Sequence, residues 1–537
     1  MRVIDFFCGA GGFSEGFRQA GFEIVLAVDN WKAAVTTHKA NHPKTNVILD
    51  DVERISNLPD DEFHKLVPDS EVIIGSPPCV AFSNSNRSGK ANKKNGIALV
   101  KAYLRIVARK KFKKDTALKY WLLENVPNIE KYLQEEYTAK ELNLKGSWKI
   151  RVKNTNSRVY NVKYYGVPSN RKRYICGEFP EPIQTRIDLN LIQLGTVLNA
   201  LGTPCKNLEK EIQDPCYALK IVSKEVTDHH YVQHLADFEW RKAKIAKQDK
   251  GYMGRMAFPE DVKRPARTIM ATMSFSVRES MVFSDGNGGY RAPTIREVSS
   301  LMSFPIDYRF YGRSIGQKYK LVGNAVPPKM SFAFAKAILE NEKLRSPCKY
   351  LPLNHENLDF YNLNSQIFHI KTEKPKKPDA RFKYHIPYTI MDAYRVELTN
   401  YKSNFEKNQI KWDVEIHKSQ GPKAKVYTPL VDINCISKND VKIIDDFIKK
   451  LTPLIVSFHN FQNLYCLTET ERANNLGPFE LLIRLKRFLG QTGLKCFEEA
   501  YIDCEGAPFK LPAKIAIGYF ILDEIVKKME VLSCKKT

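Results

Sequence analysis

Apolar and polar positions along the first third of the chain follow two rhythms in turn. The short apolar runs VIDFF (3–7), IVLAVD (24–29), EVIIGSP (71–77) and YWLLEN (120–125) are rich in β-branched and aromatic residues, as strands are. Between them lie stretches with helical periodicity, one running through Phe17 and another over residues 98–107. Strands that alternate with helices predict a parallel, doubly wound α/β sheet, in which ligands sit beyond the carboxyl ends of strands.

From about Phe179 to Tyr290 the pattern loosens into irregular, basic sequence, which reads as a separate β- or loop-rich insertion. Regular periodicity then resumes. PTIREVSSLMSFP predicts a helix capped by Thr294, with Glu297 placed to complete a capping box. GNAVPPKMSFAFAKAILENEKL predicts an amphipathic helix opened by proline. The proline-interrupted, charge-dense KTEKPKKP (371–378) marks a linker. Beyond it the signals are mixed, with DVKIIDDFIKKLTPLI and GPFELLIRLKRFLG the clearest helices. The resulting division is a catalytic domain over 1–180 and 291–345, an insertion over 181–290, a linker over 346–385 and a C-terminal α/β domain over 386–537.

Composition narrows the function classes. With 537 residues, 43% hydrophobic and 27% charged, the chain is of globular type and long enough for two or three domains. A net charge of +24 points to a polyanionic partner, nucleic acid before a surface kept basic for solubility. The longest apolar stretches, such as IAIGYFIL, are too short to span a bilayer, and MRVIDFF runs straight into a strand, so a cytosolic protein is expected. The 11 cysteines include no C-x-x-C pair, which supports neither a disulfide framework nor a structural zinc.

Candidate chemistry follows the strands. After the first comes Cys8-Gly9-Ala10-Gly11-Gly12, where glycines allow a tight turn and close approach to a ligand. Ser14 stands where a nicotinamide-type G-x-G-x-x-G would have its third glycine, which disfavours an oxidoreductase. Asp29 could accept from ribose hydroxyls, Trp31 offers a face to an adenine, and Asp51 could accept from its amino group. Each alone could equally be a loop acid or a core tryptophan. After EVIIG, the sequence Ser76-Pro77-Pro78-Cys79 presents a thiol in a proline-stiffened loop, and Glu124 ends the neighbouring strand. A thiol beside a carboxylic acid is a nucleophile and a general acid.

The ordered series FCGAGG, D-x-W, PPC, ENVPN, YGVPSNRKR, REVSSLMSFP and GNAVPP, spanning about residues 1–345, resembles the motif set of the DNA cytosine-5 methyltransferases of restriction–modification type. The resemblance implies a Rossmann-like S-adenosyl-L-methionine-dependent methyltransferase domain with an inserted target-recognition domain and a C-terminal accessory domain. Phe7, Gly9, Gly11, Asp29, Trp31, Asp51, Val52, Pro78, Leu99, Asn324 and Val326 would then surround the cofactor, which leaves as S-adenosyl-L-homocysteine. Cys79 would be the nucleophile, Glu124 the acid at the cytosine N3 and N4 edge, and Arg173 with Arg171 the guanidinium groups near the base. Ser83, Arg267, Thr268 and Arg278 would touch double-stranded DNA. A cognate restriction endonuclease is the implied functional partner, and no metal is expected. Two residues depart from the family's usual pattern, Val80 after the cysteine and Ser169 before the arginine pair, where glutamine is common in each case.

Other readings stay open on the residues. A tRNA substrate is disfavoured, since the chain lacks the Cys-Phe-Thr tripeptide of that branch of the family. A catalytically silent DNA binder would need none of Cys79, Glu124 and Arg173. In KWDVEIHK, Asp413, Glu415 and Lys418 suggest a nuclease metal site, but strand alternation puts the lysine on the wrong face. The C-terminal domain is expected to extend the DNA footprint or mediate assembly, with a purely structural appendage as the alternative. Motif one begins at the fifth residue, so no upstream helix-turn-helix is expected.

Overall fold

The computed structural model describes residues 1–537 except 80–81, 83–92, 249–254, 356–357, 366–370, 420–423, 433–437, 473–474, 491–493, 495–499, 508–509 and 535–537. The chain forms two compact units. The first comprises Met1–His234, Pro259–Phe275 and Glu279–His369, and the second Leu235–Phe258, Ser276–Arg278 and Ile370–Thr537.

Seven strands form the sheet of the first unit: β1 (Arg2–Phe6), β2 (Glu23–Asp29), β3 (Asn46–Leu49), β4 (Val72–Gly75), β5 (Tyr120–Asn125), β6 (Arg158–Asn161) and β7 (Lys172–Glu178). They lie in the order β3-β2-β1-β4-β5-β7-β6. The first five run parallel, and β7 is antiparallel to both of its neighbours. This is the parallel, doubly wound sheet that the alternating rhythm predicts, closed by an antiparallel hairpin-like edge.

Both faces of the sheet are covered, which explains why its strands read as nearly continuous apolar runs. Ile4, Phe6, Leu26, Val28, Ile73, Trp121 and Leu123 pack on one side with Val100, Leu104 and Val107 of the Lys93–Lys111 helix. Val3, Ile24, Val72, Ile74 and Leu122 pack on the other with the helices Gly12–Gln19 and Pro328–Asn341. The chain order reverses between β1 and β4, so the loops that follow them part and leave a crevice.

The insertion is tied back to the sheet edge by Ala266–Arg267, which pairs in parallel with Ser169–Asn170. Its helix Leu194–Leu201 shares one apolar core with the helices Ile295–Leu301 and Ile315–Asn324, through Leu194, Val197, Val298, Leu301 and Val322. Thr294 and Glu297 form the expected capping box. Within the same core a buried ion pair, Lys318 Nζ to Asp228 Oδ1 at 2.7 Å, fastens the Ile315–Asn324 helix to the insertion.

The second unit is built on an antiparallel sheet of β8 (Lys383–Met391), β9 (Tyr394–Thr399), β10 (Asp413–Lys418) and β11 (Lys425–Tyr427), in that order. Ile386, Val396, Leu398, Val414 and Ile416 form its apolar face, against the helices Pro478–Leu489 and Ala513–Cys534. The apolar stretch IAIGYFIL lies in the latter helix as core. Asp413 pairs with Lys402, Glu415 with His417 (2.8 Å) and Lys383 (3.3 Å), while Lys418 Nζ lies 4.7 Å over the Tyr394 ring. Among the described residues no three His, Cys, Asp or Glu side chains converge as metal ligands, and no helix is long and apolar enough to cross a membrane.

A helix from the middle of the chain, Asp237–Gln248, belongs to this second unit. Lys242 pairs with Glu373 (3.5 Å), Lys371 with Glu239 (3.9 Å), and the Tyr388 hydroxyl donates to Gln248 Oε1 (3.1 Å). The KTEKPKKP stretch has no regular structure and is held to this unit by Lys376, whose N–H donates to the Cys466 carbonyl (2.7 Å).

The approach of the Gly12–Gln19 and Pro328–Asn341 helices turns on Gly16, where a Cβ would lie 2.4 Å from the Pro328 carbonyl oxygen. At Gly316, by contrast, a Cβ would meet nothing closer than Ser314 Oγ at 4.0 Å. Gly16→Ala is therefore expected to destabilise the protein by about 1–3 kcal/mol through overpacking. Gly316→Ala is expected to be neutral or stabilising by up to about 1 kcal/mol. Urea unfolding of the two variants beside the parent checks the opposite signs.

Candidate active site

The crevice holds a cavity of about 660 Å3 at the carboxyl ends of β1, β2, β4 and β5. Its walls come from residues 7–10, 29–31 and 76–79, with Glu124, Val126, Arg171, Arg173, residues 268–272, Lys320, Leu321 and residues 323–326. A volume of this order suits a nucleoside-sized ligand with a reacting group beside it.

At one end, Asp29 shapes the ligand loops. Its carboxylate accepts the N–H of Gly9 (2.9 Å) and of Trp31 (2.8 Å), so the turn after β1 and the turn after β2 are held by one side chain. Burial raises the pKa of this carboxyl and the N–H bonds oppose the shift. The turn after β1 requires left-handed backbone at Phe7 (φ 56°), Gly9 (φ 51°) and Gly11 (φ 87°). A Cβ on Gly9 would meet nothing within 4 Å, whereas one on Gly11 would lie 2.6 Å from the Tyr308 hydroxyl. Gly9 thus lies on the cavity side of the loop and Gly11 on the packed side. Phe7 carries a side chain in a backbone region that costs about 1–3 kcal/mol, a strain typical of ligand-binding turns. The Trp31 ring carries the Lys320 ammonium 4.9 Å above it.

Behind this loop runs a buried polar chain. Ser14 Oγ donates to Asp5 Oδ2 (2.6 Å), and His38 Nε2 lies 3.0 Å from Ser14 Oγ. Burial pushes the Asp5 carboxyl up to about 8, with the Ser14 bond opposing and Asp29 adding to the rise.

At the other end, the loop after β4 brings Cys79 beside Glu124 at the end of β5. Asn125 Nδ2 donates to the Pro77 carbonyl (2.9 Å), which fixes the loop on the adjoining strand. Ser76 Oγ donates to Glu124 Oε2 (2.5 Å), and Arg173 Nε pairs with Glu124 Oε1 (2.9 Å). Register explains the last pair, since Arg173 enters β7 just before Tyr174, which lies opposite Asn125. The second Arg173 nitrogen, NH1, donates to the Lys172 carbonyl (2.7 Å). Burial raises the pKa of the Cys79 thiol; the Arg173 and Arg171 guanidinium groups pull it down and Glu124 pushes it up.

Arg171 lines the cavity but its guanidinium is committed to the backbone. NH1 donates to Ile269 O (3.0 Å), and NH2 to Gly323 O (3.1 Å) and Ala325 O (3.3 Å). Its geometry is that of a wall tie rather than of a group facing a base. Burial lowers its pKa to about 9, so it is charged at neutral pH.

The structure brings Phe7, Gly9, Asp29, Trp31, Pro78, Cys79, Glu124, Arg171, Arg173, Thr268, Asn324 and Val326 to one cavity. Other sequence candidates lie off it. The Asp51 carboxylate accepts from Glu53 N (2.7 Å) and caps the Val52–Ser56 helix; Val52 is part of the apolar core; Leu99 is half-buried on the Lys93–Lys111 helix. Arg267 pairs with Glu260 (3.0 Å) and donates to the Glu279 carbonyl (2.5 Å), while Arg278 belongs to the second unit and donates to the Ala246 carbonyl (2.6 Å). Ser83 and Val80 lie outside the described residues. Ser169 is buried and its hydroxyl donates to the Arg267 carbonyl (3.3 Å), so it holds the returning strand. Ser76, Asn125 and Lys320 were not singled out in the sequence. Only the position of Ser76 before the proline pair could have marked it.

A nucleobase-sized cavity with a thiol, a carboxylate and a guanidinium at one end and a glycine turn at the other defines an α/β group-transfer enzyme. Residues 1–340 match the family of C-5 cytosine-specific DNA methylases, and the chain belongs to that family. The type II methyltransferase M.MthTI of Methanothermobacter thermautotrophicus is 29% identical over 350 residues, covering 63% of this chain and 97% of its own. M1.HphI of Haemophilus parahaemolyticus is 31% identical over 356 residues, covering 63% and 87%. Among solved structures, the S. pombe Dnmt2 methyltransferase is similar with a TM-score of 0.41 and 17% identity, over 64% of this chain and 100% of its own. The protein is a DNA cytosine-5 methyltransferase.

Two outcomes follow from the buried groups. Folding keeps on Asp5 a proton that the unfolded chain releases near its ordinary carboxyl value, so this contribution is full at low pH and is lost as pH rises towards about 8. The slope is up to about 1.4 kcal/mol per pH unit. Asp5→Asn is expected to flatten it, which unfolding of both proteins at pH 5 and pH 8 measures. Arg171→Lys, whose one nitrogen cannot span carbonyls that two separate guanidinium nitrogens now serve, is expected to lower stability by about 1–3 kcal/mol, again by urea unfolding.

Proposed function

We propose that Cys79, Glu124 and Arg173 carry out methylation of a cytosine flipped out of double-stranded DNA, with S-adenosyl-L-methionine in the glycine-turn end of the cavity. The observation that carries this reading is the convergence of the thiol loop, the Glu124 carboxylate and the Arg173 guanidinium on a cavity whose far end is the Gly9 and Asp29 turn. The cofactor fits on this structure's own features: Gly9 leaves open space where a side chain would intrude, and the Trp31 ring lines the same end. Phe7, Gly9, Asp29, Trp31, Pro78, Asn324 and Val326 would hold it, and it supplies an electrophilic sulfonium methyl, leaving as S-adenosyl-L-homocysteine. Asp51, Val52 and Leu99 lie outside the lining of the cavity.

The protein's own groups divide the work as follows. Cys79, deprotonated, adds to C6 of the base, and Glu124 donates a proton at N3 and holds the N4 edge, which leaves C5 nucleophilic. Arg173, held through Nε by Glu124, has its outer nitrogen to stabilise charge at the pyrimidine oxygen. After C5 is methylated, loss of its proton and elimination of Cys79 restore the ring. Extrusion of the base costs about a few kcal/mol, offset by contacts of a basic protein with the duplex. Residues 181–290 supply target recognition, with Thr268, which lines the cavity, as the foremost contact. Type II methyltransferase relatives support a role in a restriction–modification system, protecting cytoplasmic DNA from a paired endonuclease.

Transfer of labelled methyl to mixed-sequence duplex DNA, followed by bisulfite sequencing, tests this. Label at C5 within one repeated sequence is expected, with Cys79→Ala inactive and Glu124→Gln slowed by about 100-fold or more. Label in tRNA instead of DNA, or activity in Cys79→Ala, would overturn it. Because burial raises the Cys79 thiol, kcat/KM should climb with pH above neutrality, read from the rate profile.

A further inference from the structure

In the second unit, β8 is interrupted. Its pairing with β9 shifts register between His385 and Ile390, and within that bulge Tyr388 takes a left-handed backbone conformation (φ 61°). A bulge re-aims side chains, and a tyrosine held in this conformation marks a place where orientation matters more than local ease. The ring so presented carries two cations. Lys486 Nζ lies 4.2 Å and the Arg255 guanidinium carbon 5.8 Å from its centroid.

Among the described residues these cations have no carboxylate partner. Arg484, Lys486 and Arg487 lie together on the Pro478–Leu489 helix, whose Leu481, Leu482, Leu485 and Phe488 face the core. Among the described residues, Arg255, Arg484, Lys486 and Arg487 make no ion pair with a carboxylate, while Arg241 and Lys242 of the same unit do. Burial, Arg487 and Arg255 all disfavour the charged form of Lys486. Two like charges on one ring, with Arg487 beside them on the helix and no carboxylate paired with them among the described residues, make a site for an anion. Arg255 reaches this site from the segment that leaves the first unit after His234 and re-enters it at Pro259, inside the region that reads as target recognition.

We propose that Tyr388, Arg255, Lys486 and Arg487 form a second DNA contact, a clamp for backbone phosphates of the duplex outside the methylated site. The proposal rests on the reading of the enzyme as acting on duplex DNA. Exposed guanidinium groups match phosphate oxygens in an open array, as a polymer backbone requires and a small enclosed anion does not.

The full-length protein is compared with Arg255→Gln/Lys486→Gln on two duplexes carrying the target: one extending about two helical turns beyond it on each side, one ending just past it. On the long duplex the variant is expected to bind about tenfold more weakly near physiological salt, with the slope of log K against log salt reduced by about 2. Binding to the short duplex, and methylation at saturating DNA, should be unchanged. Equal affinity and slope on the long duplex would overturn the clamp, as would the same loss from Lys407→Gln/Lys450→Gln, exposed lysines elsewhere on the unit. Loss of methylation by the parent on either duplex would instead count against the catalytic reading. If the double variant melts lower, Arg487→Glu, altered at an exposed side chain, carries the same test and the same two outcomes.

Discussion

Three carbonyl oxygens, from Ile269, Gly323 and Ala325, converge on the buried guanidinium of Arg171. They belong to segments far apart in the chain: the end of the insertion and the turn that opens the Pro328–Asn341 helix. A buried planar cation with donors in a fixed fork can satisfy such a set where no neutral side chain could. One arginine therefore ties together walls of the cavity that the apolar core also joins. Arg173, two residues on and within β7, faces the Glu124 carboxylate instead. The short stretch Arg171 to Arg173 thus supplies both the tie for the cavity and the charge for its chemistry.

The chemistry is built from opposed influences on one thiol. Burial keeps Cys79 protonated in the resting protein, while two guanidinium groups lower the cost of its ionised form. Glu124 is held by Ser76 on one oxygen and by Arg173 on the other. A carboxylate so held is oriented before any base arrives, which reduces reorganisation during reaction. Ser76 and Cys79 sit on one proline-stiffened loop, so the position of the acid and that of the nucleophile are set by the same four residues.

Much of this could be read in the sequence. The parallel sheet followed from the alternation of apolar runs and helical stretches, and the site followed from motifs placed at strand ends, because chain direction in such a sheet decides where loops gather. Cys79 and Glu124 needed only that logic to be brought together, whereas Arg173 was joined to them by the resemblance of the motif series to the methyltransferase family. What could not be read depended on contacts between distant segments. Arg171 and Arg173 are equivalent in sequence pattern, and only the location of three carbonyls assigns them different work. Asp51 follows a strand as Asp29 does, yet its carboxylate caps a helix. The membership of Asp237–Gln248 in the second unit was likewise hidden, since its amphipathic face carries no mark of the partner it will pack on.

That membership bears on how the protein comes to be made. When the Leu235–Phe258 segment is made, the residues from Ile370 onward, on which it folds, have yet to be synthesised. At ordinary elongation rates the stretch between Phe258 and Ile370 alone takes roughly 6–22 s, long beside the time in which helices form and collapse. During that wait the helix has no core to join. The first unit can complete its parallel sheet early, but its final closure at Pro259–Phe275 is strung between two entries into a unit that is not there yet. Synthesis of the second unit, rather than local folding speed, then sets when the recognition region becomes whole.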